Sequence, residues 1–247
     1  MSKPMPRLEA AVRLHLLKVK DDHEESTKAL FRSIAIERQG YYDSSPGGPP
    51  RLSFWQKRVR RIVERLLDDR LSGALAPRRV LDAGCGRGDF ALALAARYPG
   101  VAEILGCDFS PELLELARAH AAHEPRIRFL VGDLTSLPFD TAGIDVTVCL
   151  NVLHHVRREK LPAALGELAR VTSGTLLLEI KNARSPYFRL HSGRVEGLSI
   201  FPTTVAEVSD ALRPSGFLLE RRHAIFGLEW LSPLVVVRFE RSRRATL

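Results

Sequence analysis

Three aspartates and a run of glycines are the residues of this 247-residue chain whose types and spacing could hold a small ligand. Asp82 is followed by glycines at every second position, Gly84, Gly86 and Gly88, and a helix-forming segment begins directly afterwards. A turn of this kind between a strand and a helix leaves few side chains to keep a ligand away from the backbone. We therefore expect a cofactor to lie on this turn, which indicates a cofactor-dependent enzyme.

Two further acids narrow the choice of cofactor. Asp108 ends the next predicted strand, about 20 residues after Gly86, and Asp133 ends the strand after that. An acid at this distance holds the ribose in NAD-binding proteins, so the glycine turn and Asp108 alone also fit NAD. Asp82, however, is poorly placed beside a pyrophosphate and well placed beside a cation. Three successive acids favour a ligand that has an amino group, a ribose and an adenine but no phosphate.

An alternation of strand and helix patterns from residue 79 onward must position these side chains. It predicts an α/β fold with a seven-stranded sheet, mainly parallel. The expected strands are residues 79–83, 102–107, 127–131, 144–150, 174–180, 217–225 and 234–240. Because only a short connection separates the last two, we expect them to pair antiparallel, which gives the sheet an antiparallel C-terminal strand.

The residues before the sheet have a helical pattern of apolar side chains. Helices are predicted at residues 7–20, 26–38 and 53–69. We therefore expect two parts, an N-terminal helical cap over residues 1–78 and a cofactor-binding core over residues 79–247. A segment that could contact the substrate is inserted in the core around residues 181–202.

Composition and charge narrow the classes of partner. The net charge is +8, and the basic side chains are concentrated on either side of the glycine-rich segment. Basic flanks suit an anionic substrate, a phospholipid surface or RNA, although a solvated arginine-rich surface has the same composition. The sequence contains neither an apolar leader nor the run of about 20 apolar residues that a spanning helix needs. We expect a cytoplasmic location.

The cysteines and histidines do not form a metal-binding pattern in the sequence. Cys85, Cys107 and Cys149 lie in or beside predicted strands, and their odd number and spacing fit neither a disulfide framework nor a zinc site. Without adjoining basic groups, they are expected to be core residues rather than reactive thiolates. His120 and His123 are one helical turn apart, but no carboxylate cluster completes a site, so no metal is expected.

Four motifs occur in a fixed order: the glycine turn after Asp82, Asp108 with Phe109, Asp133 with Leu134, and Asn151 after the fourth strand. Over roughly residues 79–240 this combination resembles the class I S-adenosylmethionine-dependent methyltransferases, and more narrowly their ubiquinone and menaquinone methyltransferase-like branch. The resemblance implies a Rossmann-like fold with S-adenosylmethionine as cofactor. It also implies in-line transfer of a methyl group to a small-molecule or lipid acceptor.

The resemblance also implies a role for each cofactor-binding residue. Asp82 and the glycines at 84, 86 and 88 surround the methionine part of the cofactor. Asp108 accepts hydrogen bonds from the ribose hydroxyls, and Phe109 lies against the adenine. Asp133 accepts from the adenine amino group beside the Leu134 backbone, and Asn151 lies under the sulfonium.

Two adjacent histidines, His154 and His155, follow Asn151 and are expected to open the next helix at the ligand-binding edge of the sheet. A histidine there could accept a proton from an attacking hydroxyl, because its pKa lies near neutrality. A packing or capping role is the alternative, and methyl transfer does not require a general base. The sequence leaves both open.

Contacts to the acceptor are expected outside the cofactor motifs. The resemblance includes a cap in which a tyrosine closes over the cofactor, and Tyr41 or Tyr42 is the candidate. In the inserted segment, Arg184, Tyr187 and Arg189 alternate basic and aromatic side chains without an acid. They could clamp an anionic or aromatic acceptor, whereas an exposed loop would have the same composition.

Three other functions compete with a small-molecule methyltransferase. An RNA methyltransferase would agree with the basic flanks. However, the sequence after the fourth strand, Asn151-Val152-Leu153-His154, lacks the Asn/Asp-Pro-Pro-aromatic motif of enzymes that methylate the amino groups of bases. We therefore do not expect nucleic acid as a partner. An NAD-dependent oxidoreductase fits the glycine turn alone. A non-catalytic methyltransferase-like partner protein is disfavoured by the three intact acids. The basic helix that contains Trp55 suits peripheral contact with a membrane or packing on the core equally well.

Overall fold

The structure is a computed structural model that describes residues 54–72, 79–190, 194–195 and 198–242. The helices expected at residues 7–20 and 26–38 lie outside the described residues. The third helix, α1, spans Phe54–Leu71, close to the predicted bounds.

A seven-stranded sheet forms the centre of the described structure. Its strands are β1 (Arg79–Ala83), β2 (Glu103–Asp108), β3 (Ile127–Val131), β4 (Ile144–Cys149), β5 (Thr172–Lys181), β8 (Phe217–Ala224) and β9 (Leu234–Arg241). They lie in the order β3-β2-β1-β4-β5-β9-β8. Only β9 among them runs antiparallel to its neighbours, β5 and β8. The predicted α/β class, the strand count and the antiparallel C-terminal strand are confirmed.

Short helices connect the strands. They are α2 (Asp89–Arg97), α3 (Pro111–His120), α4 (Leu161–Val171), α5 (Pro186–Leu190) and α6 (Val205–Leu212), and a two-stranded pair consists of β6 (Arg194–Val195) and β7 (Leu198–Ser199). Single 3-10 turns occur at Leu153–His155 and Arg213–Ser215. The expectation that the histidine pair opens a helix was wrong, because the pair lies in the first of these turns and α4 begins only at Leu161.

Two helix starts are fixed by their capping side chains. The Ser110 hydroxyl accepts a hydrogen bond from the Leu113 N–H (3.2 Å), and Pro111 occupies the first turn of α3. At α6, Thr204 and Glu207 form a reciprocal capping box. The first capping residue, Ser110, lies two residues after Asp108, the last residue of β2.

Helices cover both faces of the sheet. Successive strand residues alternate between two cores, so Leu81 packs with α4 and α6 on one face whereas Val80 packs with α1 and α2 on the other. Because both faces are covered by apolar side chains, a polar ligand has access to these strands only at their ends.

A buried arginine joins α1 to β9. The guanidinium of Arg238 is fully buried and donates to the carboxylate of Glu220 on β8 (2.7 Å) and to the Leu66 carbonyl on α1 (2.6 Å). Its other terminal nitrogen lies 3.1 Å from a carboxylate oxygen of Asp69. Arg238 therefore stabilises the packing of α1 against the side of the sheet farthest from β3.

Candidate functional site

The carboxyl ends of β1 to β4 meet at one edge of the sheet, where the chain crosses from β2 and β3 on one side of β1 to β4 on the other. Ligands of open α/β sheets bind at such a reversal. A cavity of about 240 Å³ lies at this point. The predicted residues in its lining are Gly84, Gly86, Asp108, Phe109, Asp133, Leu134, Asn151 and His155.

Two glycines of the turn have different structural roles. Gly84 and Gly86 both have left-handed backbones, with φ of 78° and 53°. A Cβ on Gly84 would lie 2.3 Å from the Cγ2 of Val152, whereas a Cβ on Gly86 would meet nothing within 4 Å. Gly84 therefore permits close packing, and Gly86 leaves open space in the cavity wall.

Asp108 is held against this turn. Its carboxylate accepts hydrogen bonds from the backbone N–H groups of Gly86 (2.9 Å) and Ser110 (3.0 Å). Burial raises the pKa of Asp108, and hydrogen bonds from Ser110, Gly86 and Phe109 oppose that rise. The side chain is thus an oriented acceptor at the cavity wall, as binding of hydroxyl groups requires.

Asp82 is buried (3% exposed) and is not among the residues that line the cavity. One of its carboxylate oxygens has no hydrogen-bond partner within the described residues. Burial raises the pKa of Asp82 to about 7, and the neighbouring charges of Asp108 and Asp89 contribute further. A buried carboxylate without full compensation is stabilised by a nearby cation, so this acid fits a positively charged group of a ligand.

The far wall of the cavity comes from the ends of β3 and β4. Asp133 accepts hydrogen bonds from the N–H (2.8 Å) and hydroxyl (2.7 Å) of Thr135, which fix its carboxylate. Asn151 has a left-handed backbone, with φ of 58°, directly after β4. A non-glycine residue in this conformation is uncommon and is frequent at binding sites. Leu134 and Phe109 add apolar surface to the same cavity.

The two histidines occupy different environments. His155 lines the cavity, whereas His154 is buried behind it and is not in the lining. Burial lowers the pKa of His154 well below its ordinary value, and the positive charges of His155 and Lys181 lower it further. The ring centroids are 4.0 Å apart, so His154 packs against His155. A catalytic role for either histidine stays a prediction.

Three cations in the cavity lining were not selected from the sequence. Arg87 lies inside the glycine turn, 3.3 Å from the carboxylate of Asp89, and Arg157 and Lys160 follow the histidine turn. The signal for Arg87 was its position between two glycines. Arg157 and Lys160 belong to a loop between a strand and a helix, where exposed basic residues are common, so their spacing alone gave no signal.

The predicted substrate residues are not in the cavity lining. Arg184, Tyr187 and Arg189 are exposed, on α5 or just before it, at the end of β5. Tyr41 and Tyr42 lie outside the described residues. A role for these five residues in substrate binding stays a prediction.

The expectations for cysteines and metals can be compared with the described residues. All three cysteines are buried and free, and burial raises the pKa of each thiol, which disfavours the thiolate form. Within the described ranges, no group of three or more histidine, cysteine or acidic side chains could hold a metal ion. In the same ranges, no helix is long and apolar enough to cross a membrane.

A seven-stranded sheet with a reversed C-terminal strand, together with an acid-flanked glycine turn at the end of β1, defines the class of S-adenosylmethionine-dependent methyltransferases. Residues 80–174 match the family described as a methyltransferase domain. The segment contains the glycine turn, the three acids and Asn151. The predicted resemblance and S-adenosylmethionine as the cofactor are confirmed.

Two relatives match part of the chain at 39% identity or more. A demethylmenaquinone methyltransferase of Thermus thermophilus is 45% identical over 98 residues, which are 39% of this chain and 43% of the relative. A malonyl-[acyl-carrier protein] O-methyltransferase of Legionella pneumophila is 39% identical over 80 residues, 32% of this chain and 28% of the relative. The match thus spans less than half of either relative.

A solved structure matches nearly the whole chain at low identity. Magnesium protoporphyrin IX methyltransferase from Synechocystis PCC 6803, crystallised with S-adenosylmethionine, has a TM-score of 0.64 and 22% identity. The alignment covers 91% of this chain and 99% of that one. At this identity the similarity establishes the fold and not the acceptor.

Proposed function

We propose that the whole chain is a methyltransferase that transfers the methyl group of S-adenosylmethionine to a small-molecule or lipid acceptor. The observation that carries this proposal is the cavity in which an open backbone at Gly86 adjoins the oriented carboxylates of Asp108 and Asp133. This set of donors and acceptors matches a phosphate-free adenosyl ligand. The two relatives are named as methyltransferases of demethylmenaquinone and of malonyl-[acyl-carrier protein], and these names support a small-molecule or lipid acceptor.

Each acid receives a distinct binding role in the proposal. Asp108 accepts hydrogen bonds from the ribose hydroxyls while its bonds from Gly86 and Ser110 keep it oriented. Asp133 accepts from the adenine amino group, with Phe109 and Leu134 against the ring. Asp82 stabilises the positive charge of the methionine part from behind the turn, because its carboxylate is buried and incompletely compensated.

The chemistry divides between cofactor and protein. The cofactor supplies a methyl group already activated by a positive sulfonium. The protein holds the acceptor in line with that group and excludes water, which accounts for most of the acceleration in a direct transfer. His155 lines the cavity and is the better placed of the two histidines to accept a proton from the acceptor, while His154 orients its ring.

The acceptor in this proposal has an anionic group. Arg157 and Lys160 line the cavity together with His155 and follow it closely in the chain. The cationic side chains would attract an anionic acceptor, and the carboxylates would attract the cationic cofactor. Each substrate would then bind in its own part of the cavity. Tyr41, Tyr42, Arg184, Tyr187 and Arg189 remain candidates for further contacts.

A transfer assay tests the proposal. The protein would be incubated with methyl-labelled cofactor and four acceptor panels: quinone precursors, carrier-bound acyl groups, free carboxylic acids and tRNA. We expect label in one of the first three panels, and Arg157→Gln should raise KM for an anionic acceptor more than it lowers kcat. Transfer only to tRNA would favour the RNA methyltransferase, and binding of NADH in place of the cofactor would favour an oxidoreductase.

A second assay tests the histidines. His155→Gln should lower kcat for an acceptor that loses a proton, and the pH dependence of kcat should flatten because the titrating base is removed. His154→Gln should lower kcat less and keep the wild-type pH profile, since this side chain is buried outside the cavity and only packs against His155. If both variants retain the wild-type pH profile, the general-base role is excluded and transfer relies on positioning alone.

A further inference from the structure

Four large apolar side chains are exposed within six residues of the connection between β8 and β9. In this connection, residues 225–233, Phe226, Leu228, Trp230 and Leu231 are 44%, 54%, 62% and 41% exposed. We call these nine residues the apolar loop. Single exposed leucines are ordinary on protein surfaces, but a contiguous group that includes a tryptophan indicates an interaction surface.

The apolar loop is built by internal hydrogen bonds. The fully buried Ser232 hydroxyl donates to the Leu228 carbonyl (2.7 Å) and accepts from the Phe226 N–H (2.9 Å). The side-chain amide of Asn182, at the end of β5, donates to the Glu229 carbonyl (2.7 Å) and the Ser232 carbonyl (3.1 Å). The backbone is thus fixed from two sides while the apolar side chains point outward into water.

Helix α5 begins on the same anchor. The Ser185 hydroxyl at its start donates to the Asn182 carbonyl (2.9 Å), so α5 and the apolar loop are both attached to Asn182. On this helix Tyr187 is 44% exposed and Leu190 is 81% exposed. The exposed apolar surface therefore extends over two neighbouring segments of the chain.

The charges around this surface are mostly positive. Arg184, Arg189 and Arg222 are exposed in the two segments and the adjoining end of β8. Within residues 182–190 and 221–233 the sole acid is Glu229, and its carboxylate lies 3.0 Å from the Arg222 guanidinium. Aromatic and aliphatic side chains surrounded by arginines match the interface of an anionic bilayer, where apolar side chains enter the acyl boundary and cations meet lipid phosphates.

We propose that the apolar loop and α5 dock the protein on the surface of an anionic phospholipid membrane. β5 and β8 end at the same edge of the sheet as β1 to β4. Docking would therefore bring the edge that contains the cavity to the bilayer. The proposal does not rest on methyl transfer, and its test uses no cofactor.

The test measures binding of the full chain to vesicles. Vesicles of phosphatidylcholine alone would be compared by sedimentation with vesicles in which about a third of the lipid is phosphatidylglycerol. We expect binding to the anionic vesicles that weakens as salt screens the arginines. Brominated acyl chains should quench emission from Trp230, and this quenching should be reduced in Trp230→Phe, leaving only the contribution of Trp55.

Paired variants separate the surface from a general effect of apolar residues. Leu228→Ser combined with Trp230→Ser should weaken vesicle binding about tenfold or more, because two side chains no longer enter the acyl boundary. Leu218→Ser is the matched control, since Leu218 is 53% exposed, as Leu228 is, but lies at the start of β8 near the opposite edge of the sheet. We expect this control to bind as the wild type does.

Two outcomes would overturn the proposal. One is that the protein sediments with neither kind of vesicle. If light scattering then shows a dimer that Leu228→Ser dissociates, the surface joins two copies of the chain instead. The other is an equal loss of binding in the Leu218→Ser control. Methyl transfer is measured separately, so failure here leaves the proposed function untouched.

Discussion

Two parts of the sheet's carboxyl edge differ in which side chains they bury and which they expose. Around β1 and β2 the edge buries its acids: Asp82 is 3% exposed and Asp108 7%. Around β5 and β8 it exposes apolar side chains, with 62% for Trp230 and 81% for Leu190, among arginines. The first region places buried acids beside a cavity, whereas the second presents an open, basic and apolar surface.

This difference separates the region that binds the cofactor from the region that could bind other partners. At the β1 end the backbone limits the residue types, because left-handed turns and close packing require glycine at 84. At the β5 end, folding requires the buried anchors Asn182 and Ser232 but leaves the exposed residues free to suit a partner. We expect substitutions in the first region to alter folding or cofactor binding, and those in the second to alter partners.

Gly84→Ala should have the largest effect on stability. Its Cβ would lie 2.3 Å from Val152 in a left-handed backbone, so we expect a loss of about 3–4 kcal/mol in the free energy of unfolding. Gly86→Ala should lose only about 1–2 kcal/mol, because open space surrounds its Cβ, yet it should weaken cofactor binding at least about tenfold. Urea denaturation and calorimetry measure the two quantities. Equal stabilities would show that the packing role of Gly84 is wrong, and Val152→Ala should partly rescue Gly84→Ala.

Arg238→Ala, at the side of the sheet away from the cavity, should lower the free energy of unfolding by about 2–4 kcal/mol. The variant removes a fully buried side chain and the hydrogen bond to the Leu66 carbonyl, although Asp69 and Glu220 are partly exposed and can be solvated. Arg238→Met keeps the apolar stem and should recover part of the loss. Cofactor affinity of the folded fraction should match the wild type in both variants. A large loss of affinity would show that the two regions are coupled.

Asp82→Asn should stabilise the protein without ligand. The folded-state pKa of about 7 exceeds the ordinary 3.8, so the contribution of Asp82 to stability is fully present below pH 4 and is lost as pH rises through 7. At pH 8 we expect the variant to be about 2–3 kcal/mol more stable than the wild type, and at pH 4 about equal. Urea denaturation at several pH values measures this. Asp140→Asn, at an exposed position, should show no such trend.

Cofactor affinity should depend on pH through the same group. A cationic ligand favours the carboxylate form of Asp82, so affinity should fall by up to about tenfold per pH unit below pH 7 in the wild type. The Asp82→Asn variant should bind weakly with a flatter pH profile. Calorimetry in buffers of different ionisation enthalpy would detect the proton released on binding. Identical profiles for variant and wild type would remove Asp82 from the cation site.

Most of the fold followed from local patterns in the sequence. The bounds of β1 and β3 were predicted at the residues where the structure has them, because apolar runs there end at glycine or polar turns. β5 begins two residues earlier than expected, since Thr172 is buried. Its hydroxyl donates to the Leu168 carbonyl and accepts from the Thr147 hydroxyl, contacts that the sequence does not display.

The histidine turn was mispredicted for a similar reason. The His154 carbonyl accepts a hydrogen bond from the N–H of Phe201 (2.8 Å), a residue more than forty positions away, instead of continuing a helix. In the site, the acids were predictable because they end strands beside a glycine turn. Arg157, Lys160 and the apolar loop were not, because only the fold brings them to the same edge.

We infer that the buried acids beside the glycine turn bind a cationic adenosyl donor. Calorimetric titration of S-adenosylmethionine into the wild type and Asp108→Ala at pH 7 tests it most directly. We expect one site in the wild type and a loss of about 1–3 kcal/mol in the variant, which lacks the charge-assisted hydrogen bonds to the ribose. Equal affinities, or no binding to the folded wild type, would contradict it.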